Sequence, residues 1–213
     1  MHGRDCLVRG AAAHARVAQS SDLGDSMIPP EASGDACSIL CASMSADLPP
    51  DLELKRLPEV DPADLIALMT DPRVRRHLPL ASGDFGPEAC AQFVAAKEQI
   101  WAEHGYGPWA FEVGGAFAGW GGLQPEGDDV DLGLVLRPEL WGLGRALYAR
   151  FIATAFETLR APSVVILLPP SRVRVSGIAR LGFRPDGEAE VGGQPFLRYR
   201  LMAPGSADTS PEA

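Results

Sequence analysis

The residues best suited to do chemistry form a glycine-containing turn at the start of a predicted helix. The segment W-G-L-G-R-A at 141–146 follows a short apolar strand and opens a helix predicted over 144–159. Gly142 and Gly144 would permit positive φ angles and the close approach of a ligand. The free N–H groups and the positive dipole end of a helix N-terminus bind anions, phosphate above all. The segment therefore predicts a phosphate site, although a G-x-G pair is also typical of a tight strand-to-helix turn.

The spacing around this turn excludes two common nucleotide-binding motifs. A P-loop requires Gly-Lys followed by Ser or Thr, and here Gly144 is followed by Arg145 and Ala146. A dinucleotide-binding fingerprint requires G-x-G-x-x-G, and its last position is Leu147 here. A phosphate ligand would therefore be held by a different kind of loop.

An α/β domain with a mixed sheet is predicted to position the turn. Asp61 and Pro62 predict a helix start, because Asp caps helix N-termini and Pro is favoured at the first helical position. Gly114 and Gly115 suit a two-residue hairpin between strands. The helix after the turn joins two strands that must be parallel. The predicted order is β-α-α-β-β-β-α-β-α-β-β. Strands are predicted at 52–57, 108–113, 116–123, 129–136, 162–168, 183–191 and 195–201. The first helix is predicted to start at 61, the second and third to span 87–103 and 144–159, and the short fourth helix to end at 181.

The composition excludes several classes of protein. The formal net charge is −9 and the chain has no basic cluster, so we expect no nucleic-acid partner. No apolar run approaches the ~18 residues of a membrane span, and the first residues lack the apolar core of a signal peptide. We therefore expect a cytoplasmic protein with no membrane partner. The cysteines lack the ligand spacing of a zinc site, and we expect no metal.

Both ends of the chain are expected to lie outside the folded domain. Residues 1–50 are rich in Ala, Ser, Gly, Asp and Pro and show no sustained hydrophobic period. Such a segment buries too little apolar surface to offset its chain entropy. We expect a disordered extension over 1–50, with Met44 as an alternative start, a folded domain over 51–203 and a flexible tail over 204–213.

In its context the glycine turn resembles the acyl-CoA loop of the GNAT superfamily of N-acetyltransferases, Q/R-x-x-G-x-G/A. Trp141 replaces the first Gln or Arg, as is usual in the branch of the ribosomal-protein N-terminal (Rim-type) acetyltransferases. The resemblance covers 52–202, including GWGGLQP at 119–125 and ARLGF at 179–183. It implies a GNAT-like, mostly antiparallel sheet whose parallel β-α-β crossover binds acyl-CoA. The implied cofactor-binding residues are Leu134, Val135, Leu136, Trp141, Gly142, Leu143, Gly144, Arg145 and Ala146.

The resemblance also implies a reaction, in which acetyl-CoA is the co-substrate and a primary amine attacks it directly in a ternary complex. The amine would belong to a protein N-terminus or a small molecule, and the enzyme would be a monomer or a homodimer. Such chemistry needs a neutral amine, a donor for the developing oxyanion and a proton for the leaving thiolate. Because amines with pKa values of about 8 to 10.4 are largely protonated at neutral pH, a base is required. The backbone N–H of Val135 or Leu136 would contact the oxyanion.

Asp131 is the favoured base and Glu126 the second candidate. Strand alternation places Asp131 on the same face as Gly133 and Val135, away from the apolar face that carries Leu132. The resemblance adds that relatives often carry Glu at this place. For either acid the alternative is a solvated surface carboxylate.

Ser171 is the candidate that protonates the thiolate. In relatives an Asn follows the apolar strand and a Tyr or Ser lies farther along the next helix, whereas this chain has Ser171 and no tyrosine between 149 and 198. Ser171 and Ser176 are equally suited to capping a helix. His104 and Tyr106 either border the acceptor site or simply end a helix.

Two other interpretations stay open. A catalytically silent acyl-CoA-binding module with the GNAT fold would explain the missing tyrosine. An unrelated α/β domain would use the glycine pair only as a turn. An assay of acetyl transfer distinguishes the silent module from an enzyme. An assay of acyl-CoA binding distinguishes the unrelated domain from both.

Overall fold

The computed structural model describes residues 48–81, 83–170 and 176–205. Residues 1–47 of the expected extension and residues 206–213 of the expected tail lie outside this range, so both stay predictions. Ser171 also lies outside the described residues.

A seven-stranded sheet in the order β1-β2-β3-β4-β5-β7-β6 forms the centre of the molecule. Neighbouring strands are antiparallel except β4 and β5, which are parallel. The mixed, mostly antiparallel sheet with one parallel crossover is therefore confirmed. The strands are β1 Leu52–Lys55, β2 Pro108–Val113, β3 Ala116–Glu126, β4 Asp129–Leu136, β5 Ser163–Leu168, β6 Arg184–Val191 and β7 Gln194–Met202.

Helices lie between the strands in the expected order, with one addition. The predicted order has two helices after β1, and the structure inserts a four-residue helix between them. That helix is too short to produce a hydrophobic period, which is why the sequence pattern missed it. The helices are α1 Pro62–Thr70, α2 Pro72–Arg75, α3 Pro87–His104, α4 Gly144–Ala153 and α5 Ser176–Arg180, and a π-helical turn Thr154–Thr158 continues α4.

Local signals in the sequence set several of these boundaries. The Asp61 side chain accepts a hydrogen bond from the N–H of Ala63 at 2.8 Å and caps α1. Gly105 ends α3 with φ of 73°, a left-handed conformation that favours glycine. The helix start at Asp61 was predicted and is confirmed, and the helix predicted over 87–103 ends one residue later, at His104.

The sheet is covered on both faces, by two separate apolar cores. On one face, α4 packs against the side chains of β4 that include Leu132 and Leu136, with Leu147 and Phe151 at the centre. On the other face, α1, α2 and α3 contribute a second cluster that includes Phe93. The strand alternation of β4 thus sends one set of residues toward α4 and the other set, Asp131 among them, toward α3.

Among the described residues, no helix is both long enough and apolar enough to span a lipid bilayer.

Candidate active site

The parallel strands β4 and β5 are paired at one end and separate at the other. Val130 pairs with Val164 and Asp131 with Val165, and beyond these the described strands share no further pairs. β4 nevertheless continues to Leu136, held by β3 on its other side. Backbone groups in the second half of β4 therefore face a gap instead of a strand. An extended ligand can occupy such a gap by using the free strand edge.

The glycine turn that follows β4 is helical throughout. A 3₁₀ turn over Pro138–Leu143 leads directly into α4 at Gly144. Nε1 of Trp141 donates to the carbonyl oxygen of Leu136 at 3.0 Å and ties the turn to the end of β4. The positive φ angles that the two glycines would permit are not used: Gly142 has no positive φ, and the φ of Gly144 is −54°. The chain reverses here through a right-handed 3₁₀ turn, which needs no left-handed residue.

The two glycines leave open space beside the backbone of the turn. A Cβ added at Gly142 would meet nothing within 4 Å, and one at Gly144 would lie 3.9 Å from Cδ1 of Leu136. Arg145 beside them is exposed, whereas Ala146 is buried in the core. The first N–H groups of α4 lack acceptors within the helix and carry its positive dipole end. Accessible backbone, dipole and guanidinium together could form an anion site.

A cavity of about 670 Å³ adjoins this turn and runs along β4. Its walls include the predicted site residues Asp131, Leu134, Val135, Leu136, Trp141 and Gly144. Five other predicted residues lie outside its walls, namely Glu126, Gly142, Leu143, Arg145 and Ala146. His104 and Tyr106 are not wall residues either, and their rings contact each other at 6.1 Å at the end of α3.

Asp131 is buried on the floor of the cavity, with 7% of its surface exposed. Burial raises the pKa of its carboxyl to about 7, and the nearby carboxylate of Glu126 adds to the rise. Lys97 and Arg198 act in the opposite direction but do not cancel it. The interpretation of Asp131 as a solvated acid is therefore wrong. A buried carboxyl that titrates near neutral pH is suited to accept and release protons.

The arginines of β7 bind a neighbouring acid instead of Asp131. Arg198 and Arg200 form ion pairs with Asp129 at 2.7 and 2.5 Å. Asp186 accepts a hydrogen bond from Arg200 and forms an ion pair with Arg198 at 3.0 Å. Ser163 donates a hydrogen bond to Asp129 as well. This network joins the start of β4 to β7 and β6 and leaves Asp131 without an ion pair among the described residues.

Lys97 is the main residue of the site that the sequence analysis did not identify. It projects from α3 onto the same cavity wall as Asp131, with 6% of its surface exposed. Its ammonium donates to Oε1 of Gln124 and lies 5.5 Å from the ring centroids of Phe93 and Trp120. Burial lowers the pKa of Lys97 to about 8, although Asp131 favours its charged form. A lysine on the apolar stripe of α3, in register with Phe93, was the available signal.

Residues at 74–81 form a second wall and contact the glycine turn. Arg73, at the start of α2, forms a 2.9 Å ion pair with Glu139 in the 3₁₀ turn. The ring of His77 meets that of Trp141 edge-on, with centroids 6.0 Å apart. Arg73 lies within α2, and His77 follows the end of that helix. The two residues hold the glycine turn against the cavity.

Tyr148 is a further cavity residue that the sequence analysis did not weigh. It lies one helical turn after Gly144 and lines the same cavity as Leu134 and Leu167. No group of three or more His, Cys, Asp or Glu side chains placed to hold a metal ion occurs within the described ranges.

Comparison with known proteins decides the family. A model of the acetyltransferase (GNAT) domain matches residues 51–184, which is more than half of the chain. The protein belongs to the GNAT acetyltransferase family. The expected family is thereby confirmed, and with it the assignment of the chain as an acyltransferase. The gap between β4 and β5 and the accessible start of α4 are the features of this GNAT domain that the geometry defines.

Solved structures with the same fold include three acetyltransferases. The acetyltransferase from Agrobacterium tumefaciens str. C58 is 21% identical with a TM-score of 0.58, covering 86% of this chain and 99% of that one. The N-acetyltransferase PseH from Campylobacter jejuni, in complex with acetyl coenzyme A, is 16% identical with a TM-score of 0.50, covering 71% and 98%. The spermidine N-acetyltransferase from Vibrio cholerae, in complex with CoA and spermine, is 15% identical with a TM-score of 0.54, covering 71% and 95%. These similarities show the GNAT fold.

Proposed function

We propose that this GNAT protein is an N-acetyltransferase that moves an acetyl group from acetyl-CoA to a primary amine in a ternary complex. The amine belongs to a protein N-terminus or a small molecule. One observation carries the proposal: a buried carboxyl that titrates near pH 7, Asp131, lies on the floor of a cavity that also reaches the glycine turn. A silent binding module would not need a proton acceptor at that place.

The residues present fit acetyl-CoA in three respects. The anion site at the start of α4 would hold the pyrophosphate, with Arg145 as an exposed cation beside it. The free edge of β4 from Leu134 to Leu136 would receive the pantetheine chain in the gap left by β5. The cavity next to this edge has room for an acceptor. When bound, acetyl-CoA supplies an activated thioester as the acetyl donor.

Asp131 acts as the general base in this proposal. Its raised pKa suits this role at neutral pH, because a general base works best when its pKa is near the operating pH. The N–H groups of Val135 and Leu136, downstream on the same strand, contact the oxyanion. Glu126 keeps a secondary role, since its charge raises the pKa of Asp131.

Two hydroxyl groups are candidates for protonating the leaving thiolate. Ser171 remains the candidate proposed from the resemblance and lies outside the described residues. Tyr148 is the candidate that the cavity adds, since it lines the same cavity as Leu134 and Leu167. Phenolic hydroxyl groups can serve as general acids when positioned against the reacting atoms.

The finer details of the proposal rest on composition and on the loop sequence. The Rim-type branch, which acts on protein N-termini, is supported by Trp141 within the loop W-G-L-G-R-A. A cytoplasmic location, with the protein as a monomer or homodimer and without nucleic-acid, membrane or metal partners, is part of the same proposal.

The proposal is tested by acetyl-CoA binding and by turnover of Asp131→Asn. A thermal-shift titration should show stabilisation by acetyl-CoA and CoA but not by ATP or NAD, with about 2.7 kcal/mol at 100 times the dissociation constant. In thiol-release assays with an amine panel, wild-type kcat should rise with pH through an apparent pKa near 7. Asp131→Asn should lose about 10²–10⁴-fold in kcat together with that pH limb.

Asp128→Asn is the matched control, because Asp128 is a nearby exposed carboxylate. It should behave like the wild type in both assays. If Asp131→Asn kept full turnover, the assignment of the base would be wrong. If acetyl-CoA at millimolar concentration gave no stabilisation, the enzyme proposal itself would fail.

A further inference from the structure

The cavity wall that carries Asp131 also carries a buried positive charge. Lys97 reaches this wall from α3, and only 6% of its surface is exposed. Its partner among the described residues is the neutral amide of Gln124, and no described carboxylate lies within ion-pair distance of its Nζ. A buried ammonium without a direct ion pair is costly, because burial removes its hydration and no carboxylate in contact with it replaces that hydration.

Several hydrogen-bond donors at this wall have no acceptor among the described residues. The ammonium of Lys97 has further N–H donors beyond the one that Gln124 accepts. The Gln124 amide nitrogen donates to no described residue, and the indole Nε1 of Trp120 is buried without a hydrogen-bond partner in the described structure. Buried donors are normally paired, and a carboxylate that enters the cavity would supply acceptors for Lys97 and Gln124.

The two charges of the wall are close enough to influence each other but do not form an ion pair. The charge of Asp131 favours the protonated form of Lys97, and Lys97 favours the ionised form of Asp131. A ligand with an amine and a carboxylate a few bonds apart matches this pair, since its amine faces Asp131 and its carboxylate faces Lys97. A polyamine would place additional positive charge near a buried cation, which is unfavourable in a site of low dielectric constant.

The other residues that line the cavity determine which kind of group the rest of the ligand can carry. Its walls are largely apolar, with contributions from Met69, Leu78, Phe93, Val135 and Phe196. Apolar walls with a few convergent polar groups are typical of small-molecule sites, in which the polar groups fix the orientation. The combination fits a molecule with one charged, zwitterionic end and one apolar end.

We propose that Lys97 is a specificity-determining residue that binds the carboxylate of the acceptor, so that the preferred acceptors are apolar amino acids or close amino-carboxylate analogues instead of polyamines. The inference rests on the proposed acetyltransferase function and narrows its acceptor. Gln124 assists by donating to the same carboxylate.

The test compares matched acceptors that differ only in the carboxylate. L-phenylalanine is measured against phenethylamine, which lacks the group, and against L-phenylalaninamide, in which it is neutral, with spermidine as the polyamine. For the wild type we expect kcat/KM at pH 7.5 to be at least tenfold higher for L-phenylalanine than for the other three. Equal or higher values for phenethylamine, the amide or spermidine would overturn the proposal.

Variants assign the preference to Lys97. Lys97→Met should abolish the preference for L-phenylalanine over phenethylamine mainly through KM, and Lys97→Arg should retain part of it because the charge is kept. Lys55→Met is the matched control, since Lys55 is the only other lysine of the chain and pairs with Glu112 on the surface side of β1. A preference that survives in Lys97→Met would contradict the proposal.

A binding measurement separates this inference from the proposed function. Calorimetric titration of the full-length protein with L-phenylalanine, without acetyl-CoA, should give binding that Lys97→Met loses at least tenfold and Lys55→Met keeps. Binding of L-phenylalanine without any turnover would support the role of Lys97 while rejecting the enzyme proposal. Turnover of amines that depends neither on Lys97 nor on the carboxylate would support the enzyme proposal and reject the role of Lys97.

Discussion

The two faces of the central sheet divide the work of this domain between stability and chemistry. On the α4 face, β4 presents Leu132 and Leu136 to Leu147 and Phe151, and this core contains no buried charge among its described members. On the α3 face, the same strand presents Asp131 beside Lys97 around an open cavity. One strand thus supplies a dry core and a polar site by alternation alone. Apolar burial on the α4 face stabilises the domain and offsets the free-energy cost of burying two charged side chains on the α3 face.

The largest effect should come from a glycine that lets β3 approach β4. Gly121 has φ of 153°, and a Cβ there would meet the carbonyl oxygen of Gly133 and lie 2.8 Å from Cα of Leu134. We expect Gly121→Ala to lose more than about 4 kcal/mol of unfolding free energy, or to fail to fold, because neither backbone can move away. Urea denaturation followed by circular dichroism measures it.

Gly133→Ala is the control, since a Cβ at Gly133 meets nothing within 4 Å. It should unfold at nearly the wild-type urea concentration. Equal stabilities of the two variants would show that the tight contact between β3 and β4 can relax.

Substitutions on opposite faces should separate stability from activity. Leu147 is fully buried on the α4 face, so Leu147→Ala should cost about 2–5 kcal/mol of unfolding free energy through lost burial and a cavity. Lys97→Met on the α3 face should leave the unfolding free energy unchanged or raise it, since it replaces a buried charge with an apolar chain. Thermal unfolding and thiol release on both variants measure the contrast.

If Lys97→Met destabilised the fold as much as Leu147→Ala, the ammonium would be structural. The two faces would then not differ in the way proposed.

A smaller effect concerns the pH dependence of stability. Burial raises the pKa of Asp131 from 3.8 to about 7, so the folded state holds this proton more tightly than the unfolded state does. The resulting stability is fully present below pH 4 and is lost as the pH rises through 7. Asp131→Asn removes the carboxylate, so its unfolding free energy relative to wild type should increase by about 1 kcal/mol or more between pH 5 and pH 8.

Melting temperatures of the wild type, Asp131→Asn and Asp128→Asn at the two pH values measure this difference. A constant difference between Asp131→Asn and wild type would mean that Asp131 ionises with its ordinary pKa. Asp128→Asn, at an exposed position, should show no such trend.

Much of the fold could be predicted because its signals are local. The cap at Asp61, the hairpin glycines at 114 and 115 and the left-handed Gly105 each define a boundary through the conformation of a few neighbouring residues. The alternation along β4 correctly separated Asp131 from Leu132. The sequence did not reveal the conformation of Gly142 and Gly144, because it does not distinguish a left-handed turn from a 3₁₀ turn that leads into a helix.

The sequence by itself determined the glycine turn, the parallel crossover and the face on which Asp131 lies, since each depends on residue type and on the period of a single element. Only the tertiary structure decided that Asp131 is buried, that Lys97 on a distant helix shares its wall, and that the arginines of β7 bind Asp129 instead. Burial and charge pairing depend on segments that are far apart in the chain, as Lys97, Asp131 and Arg198 are. For this reason the chemistry of the cavity follows from packing between elements and not from the motif alone.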